Sequence, residues 1–278
     1  MTRPRRSGML AVHAPPFPWN RPMPIRRTAT FLLPLALAAC AHAPSTSGEA
    51  AHWANARQLV LVTTADWDAQ SGTLRYFERE GTGWKQVGDG FDVTVGRTGT
   101  AWGIGLHAAR SDGPVKREGD GKAPAGVFAI GTAFGYAPSA KTGLTYQGMC
   151  LNDWCIDVPE SNYYNKIVDR SLVKAPYLDK SSEPMRRDLH ADGDQRYREG
   201  FVIEHNADGA NRQGGSCIFA HLWKAPGEAT AGCTAMAPDH MAPLLAWLDA
   251  RQHPVFVELP QAQYAQLRGA WKLPEIEQ

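Results

Sequence analysis

The chain of 278 residues has no apolar run long enough to cross a bilayer. Its longest, Phe31 to Cys40, falls far short of the ~20 residues a spanning helix needs, which excludes a multi-span membrane protein. Cysteine is scarce, five residues in all, with no Cys-x₂-Cys and no His-x₃-His, so the common zinc patterns are missing. Asp188-Leu-His-Ala-Asp192-Gly-Asp194 lacks the register and distal Glu of a calcium loop and reads as a solvated loop. No internal repeat and no interior linker divides the chain. Net charge is nearly absent at +1, but it is unevenly placed. Residues 1–39 hold six Arg and no acid. Removing these six from the 29 Lys and Arg leaves 23 against 28 Asp and Glu, a net charge of −5 from residue 40 onward. That balance argues against a nucleic-acid partner, which needs a basic face.

What is present begins with an address. Arg26-Arg27, a short apolar stretch Phe31–Leu37 and small residues Ala38-Ala39 before Cys40 make a secretory signal. Leu37-Ala38-Ala39-Cys40 resembles the bacterial lipobox, in which the cysteine becomes the lipidated first residue. Met23 opens a signal of ordinary length. Residues 1–22, with five prolines, look unlike any part of one, so the expected start is Met23. Ala41 rather than Asp after Cys40 resembles lipoproteins sent to the outer membrane. The expected location is thus the cell envelope, facing the periplasm, anchored by lipid on Cys40 without spanning. Residues 40–56 are small, polar and aperiodic, as in a flexible tether.

Hydrophobic residues at 43%, with nine Trp, eight Tyr and nine Phe, suffice for a core without disulfide staples. From Gln58 the pattern is β: Leu59–Thr64, Leu74–Arg79, Phe91–Val95, Val127–Ile130, Gly200–Glu204 and Ser216–His221, punctuated by Gly. Residues 162–173 and 184–189 hold helix-compatible pieces. The clearest helix follows Asp239, with Met241, Leu244, Leu245 and Leu248 at helical spacing and Pro243 tolerable only in a first turn. Val255–Leu259 closes a single mainly β domain over 57–260 with a few short helices, and 261–278 reads as a C-terminal tail.

Four cysteines remain in an oxidising compartment. Cys150 and Cys155 either close a short disulfide or stay as two buried thiols, and Cys217 sits in an apolar strand as core. Cys233 differs. Thr230-Ala231-Gly232-Cys233-Thr234 is a loop of small residues just before the late helix, where a thiol is accessible and backbone amides lower its pKa and hold an oxyanion. His221, twelve residues upstream at a strand end, makes a nucleophile–base pair with it. His205 is the rival base, 28 residues before Cys233, and is expected to border the site. Thr230 positions substrate or caps the turn. Trp223 walls the substrate or joins the core. Asp120 and Lys122 touch substrate or belong to a turn held by Gly119 and Gly121.

The segment Gly215-Ser-Cys-Ile-Phe-Ala-His221-Leu-Trp223, with Thr230-Ala-Gly-Cys233-Thr-Ala-Met236, resembles the L,D-transpeptidase catalytic domain of the YkuD type. Val95-Gly-Arg97, Glu118–Phe128, Cys155-Ile-Asp157-Val-Pro159, Tyr164-Asn165 and Glu183-Pro-Met185 resemble further blocks, so the likeness runs from about 58 to 259. The resemblance implies an L,D-transpeptidase-like β-sandwich and no metal or organic cofactor. It implies Cys233 as nucleophile, His221 as general base and acid, and Gly232 in the oxyanion loop. Substrates would be peptidoglycan stem tetrapeptides, losing D-Ala to give 3→3 cross-links. Two departures stand out. Ala231 precedes Gly232 where the family often has His, and Ala235 stands where Arg is common. The lost guanidinium motivates two alternatives, an L,D-carboxypeptidase and a catalytically silent wall-binding lipoprotein.

Overall fold

The computed structural model describes residues 49–276 except 187 and 189–191. The signal segment, Cys40 and most of the tether lie outside the described residues. Contacts gather Ala43–Gln278 into one unit, and Met1–His42 form another.

The chain is mainly β. Strands β1 (Gln58–Thr64), β2 (Ser71–Glu80), β3 (Gly83–Gln86) and β4 (Phe91–Thr94) come first, then β5 (Thr100–Trp102), β6 (Ala123–Gly135) and β7 (Tyr146–Gly148). An excursion carries β8 (Asp153–Cys155), β9 (Ile167–Asp169) and β10 (Glu183–Pro184). Then come β11 (Glu199–Ile203), β12 (Phe219–Leu222), β13 (Thr234–Met236), helix α1 (Pro238–Trp247), β14 (Val255–Pro260) and helix α2 (Gln261–Trp271). The large sheet runs β1-β14-β6-β11-β12-β13-β4-β2-β3, and a further β1–β2 pairing closes it on itself. Closure removes free edges from the strands that bear the site.

Alternation along each strand then divides the side chains between two faces. Val60, Val62, Phe128, Phe201, Ala220, Leu222, Met236 and Phe256 pack together with Met241 and Leu244 of α1. Leu59, Leu61, Val127, Val257 and Leu259, on the opposite face, are covered by α2 and by Trp53. Phe219, Phe134, Tyr197 and Cys233 form a third cluster with Cys155, Cys217 and Met185. The β8–β9–β10 sheet caps this last face and has its own small core of Ile156, Val168 and Leu178.

Several expectations are corrected here. Residues 261–271 are not a tail. Trp271 is fully buried, with Tyr264 and Leu267 on the same face of α2. The tether ends earlier than residue 56, because Glu49–Trp53 forms a 3₁₀ turn and Trp53 packs edge-on against Trp271, 5.6 Å between centroids. Neither 162–173 nor the described part of 184–189 is α-helical. Their apolar residues serve the capping sheet instead. Pro243 lies in the second turn of α1, and burial of Met241, Leu244 and Leu245 on either side offsets the backbone bond it cannot make. Strand β12 starts at Phe219 rather than Ser216, since Cys217 adopts φ 56° and interrupts the extended chain.

The Cys150–Cys155 disulfide does not form. Cys155 pairs with Cys217, and Cys150 is an exposed free thiol. That bond ties the capping sheet to the segment leading into β12. Asn165 adds to the tie: its Nδ2 donates to the carbonyls of His205 and Asn206, and its Oδ1 accepts from Cys217 N at 2.8 Å. In the loop compared with a calcium site, the carboxylates of Asp188 and Asp194 are engaged by Arg186 and Arg196. No helix among the described residues is long and apolar enough to cross a membrane.

One buried acid gives the fold a pH signature. Glu258 of β14 is fully buried, accepts from Thr234 Oγ1 at 2.9 Å, and burial lifts its carboxyl to about 8. An unfolded chain ionises this Glu near 4.3. Between about pH 4.3 and pH 8 the folded state therefore holds a proton that the unfolded state has lost, and stability falls as pH rises. Denaturant titrations from pH 5 to pH 8 are expected to show this decline, and Glu258→Gln is expected to flatten it.

Candidate active site

Parallel pairing of β12 and β13 sets Ala220 beside Thr234, His221 beside Ala235 and Leu222 beside Met236. Continuing that register by one residue places Cys233 beside Phe219. Side chains two residues apart share a face, so Cys233 and His221 are diagonal neighbours under the capping sheet. Phe219 N donates to Cys233 Sγ at 3.4 Å, and the thiol points at Cys217 O at 3.5 Å.

The loop before Cys233 is held by its own small residues. Thr230 Oγ1 accepts from Gly232 N at 3.0 Å and donates to Cys233 O at 2.6 Å. Thr230 N and O bond Val95 and Arg97 of the adjoining segment. Gly232 has φ +151°, and a Cβ there would lie 2.9 Å from Lys122 O, so a side chain is excluded both by conformation and by space. Thr230 thus caps the turn, and the Gly232 amide is committed to it.

The thiol is not the accessible, acidified group expected from the loop. Cys233 is only 7% exposed, and it precedes strand β13 rather than the helix. Burial, reinforced by the negative charge of Glu183, pushes it up to about 12. His221 is 5% exposed, and burial pushes it down to about 4. Its Nδ1 lies 2.7 Å from Leu222 O, which fixes the proton there as a donor and leaves Nε2 a lone pair. At neutral pH the pair rests as thiol and imidazole, both uncharged, and Nε2 is ready to take a proton.

Cys233 lines two cavities. One, of about 220 Å³, also has His221, Tyr197, Arg196, Lys224 and Ala235 in its wall. The other, of about 320 Å³, has Lys116, Glu118, Asp157, Ser182, Cys217 and Gly232. Arg97, Glu183, Ala231 and Cys233 line both. Arg196 is held by Asp194 through Nη2 at 2.6 Å and Nε at 3.0 Å. It brings a guanidinium into the cavity where Ala235 provides none. Tyr197 is buried edge-on to His221, 5.4 Å between centroids, and its hydroxyl donates to Glu183 Oε1. Burial raises Glu183 to about 7.

Other residues singled out from the sequence fall elsewhere. His205 does not border the cavities. Its Nδ1 accepts from Ile104 N at 3.1 Å and its Nε2 meets Gly214 O at 2.9 Å, so both nitrogens brace loops. Trp223 does not line either cavity, and it is half-buried beyond β12. Asp120 accepts from Arg117 N, Lys122 N and Lys116 Nζ, and Lys122 Nζ donates to Thr98 O, so this turn is self-contained. Glu183, Tyr197, Arg196 and Arg97 were not assigned a role from sequence. Only the Glu183-Pro-Met185 and Val95-Gly-Arg97 blocks pointed near them. Among the described residues no group of three or more His, Cys, Asp or Glu is placed to hold a metal.

Burial orders the thiols by reactivity. With a thiol alkylating reagent at neutral pH and no substrate, Cys150 is expected to be modified well before Cys233, with Cys155 and Cys217 silent until reduction. Peptide mass mapping over time checks the order.

The comparisons agree with this geometry. The family model for the L,D-transpeptidase catalytic domain (YkuD) matches residues 63–257, from the end of β1 into β14 and including His221 and Cys233. Neither curated proteins nor solved structures give a match. A thiol and an imidazole side by side at the meeting of two cavities, within a match that covers most of the chain, place it in the L,D-transpeptidase catalytic domain family.

Proposed function

We propose that this chain is a peptidoglycan L,D-transpeptidase, anchored to the outer membrane by lipid on Cys40 and acting in the periplasm. Family membership makes it an L,D-transpeptidase-type enzyme. The observation that carries the finer reading is the union at Cys233 of two cavities, room for a donor and an acceptor peptide.

In the proposed first half-reaction the donor is a stem tetrapeptide. His221 Nε2 takes the Cys233 proton as Sγ attacks the carbonyl carbon before the terminal D-Ala. With Gly232 N bound to Thr230, the amide of Cys233 is the donor left at the loop for the developing oxyanion. The C–N bond breaks, and His221 returns its proton to the leaving amine. Arg196, Arg97 and Lys224 give that cavity a cationic wall suited to a terminal carboxylate. In the second half-reaction the amine of another stem peptide attacks the thioester and gives a 3→3 cross-link.

Mass spectrometry of disaccharide-tetrapeptide incubated with the protein is expected to show a tetrapeptide–tripeptide dimer, absent with Cys233→Ala. His221→Ala is expected to slow its formation about 10²-fold or more. Tripeptide alone would shift the reading to an L,D-carboxypeptidase. No product and no acyl adduct would shift it to a wall-binding lipoprotein.

A further inference from the structure

We propose that Glu183 is a second acid–base residue of the site, which takes the proton of the acceptor amine when that amine attacks the Cys233 thioester. This inference rests on the transpeptidase reading. It starts from an asymmetry in the site. His221 lines the first cavity and not the second, whereas Cys233 lines both. A donor whose leaving group is protonated by His221 occupies the first. An acceptor entering by the second reaches the thioester from the side where His221 does not stand.

Glu183 is the one carboxylate common to both walls among the described residues. The other acids nearby are already engaged. Glu118 accepts from Tyr164 and Ser216, Asp157 from Ser182, Asp194 from Arg196, and Glu228 faces Lys224. Glu183 accepts from Tyr197 through Oε1, while no hydrogen bond reaches Oε2 from the described residues. The charges around it are Arg196 on one side and Asp157 and Asp194 on the other, and together with burial they leave it about half ionised at neutral pH. It also sits on β10, across the cavity from the strand carrying His221.

The proton balance closes. The amine nitrogen forms a bond to the thioester carbon, and its N–H proton passes to Glu183 Oε2. The C–S bond breaks with its electron pair on Cys233 sulfur. The proton on Glu183 then returns to that sulfur, restoring the resting thiol and carboxylate. No oxidant, metal or further reactant takes part.

Glu183→Gln keeps the shape and the Tyr197 hydrogen bond but cannot take the proton. Intact-mass time courses of the full chain with disaccharide-tetrapeptide separate acyl-enzyme formation from its resolution by the second stem peptide. The expected result is a fall of about 10²-fold or more in the ratio of resolution to acylation, with acyl-enzyme accumulating. Glu183→Asp is expected to recover part of the loss, and Tyr197→Phe to move the pH profile of resolution while dimer still forms. Equal losses in both steps would mark Glu183 as merely structural and overturn the role, as would resolution at the wild-type rate. If the wild-type chain forms no acyl-enzyme, the transpeptidase reading fails and this role falls with it.

Discussion

The parallel register between β12 and β13 is the constraint on which the site depends. A parallel neighbour cannot be reached by a tight hairpin, so residues 223–233 must leave the sheet and return. The return is made by Thr230, whose hydroxyl holds both Gly232 N and Cys233 O, and by Gly232, whose backbone passes against Lys122 O. A slip of one residue in β13 would turn Cys233 away from the cavities and put Thr234 in its place. Closure of the large sheet leaves little freedom for such a slip, since β13 is also paired to β4.

Burial then decides the chemistry of the pair. The capping sheet, fastened by the Cys155–Cys217 disulfide and by Asn165, shields both Cys233 and His221. In that environment neither thiolate nor imidazolium is favoured, and each group moves toward its neutral form. Activation becomes a proton transfer coupled to attack, rather than release of a standing thiolate. Charge in the site comes from groups set further out. Arg196, oriented by Asp194, and Lys224 face the cavity that holds His221, while Glu183 faces both cavities.

Much of this was legible in the sequence where the signal was local. Alternating apolar stretches located β1, β2, β4, β11 and β14, because each strand has one face in the interior. His221 and Cys233 stood out because a strand and a small-residue loop lie close together in the chain. Tyr264, Leu267 and Trp271 already had helical spacing, and α2 was missed because Pro260 before it was read as an end. The disulfide partner of Cys155 was not legible, being 62 residues away across the fold. Glu183, Tyr197 and Arg196 were hidden for the same reason: a long polar excursion brings them over the site, and no periodicity records where it lands. The acidity of Cys233 was misread because burial by a distant sheet outweighs anything in its own loop.

The central claim is that the resting pair is neutral. An NMR pH titration of His221 in the substrate-free protein, with the Cys233→Ala form as control, tests it most directly. The account predicts that His221 stays neutral down to about pH 4. An imidazolium persisting above its ordinary value of about 6.5, and lost on removal of Cys233, would establish a thiolate–imidazolium pair and contradict it.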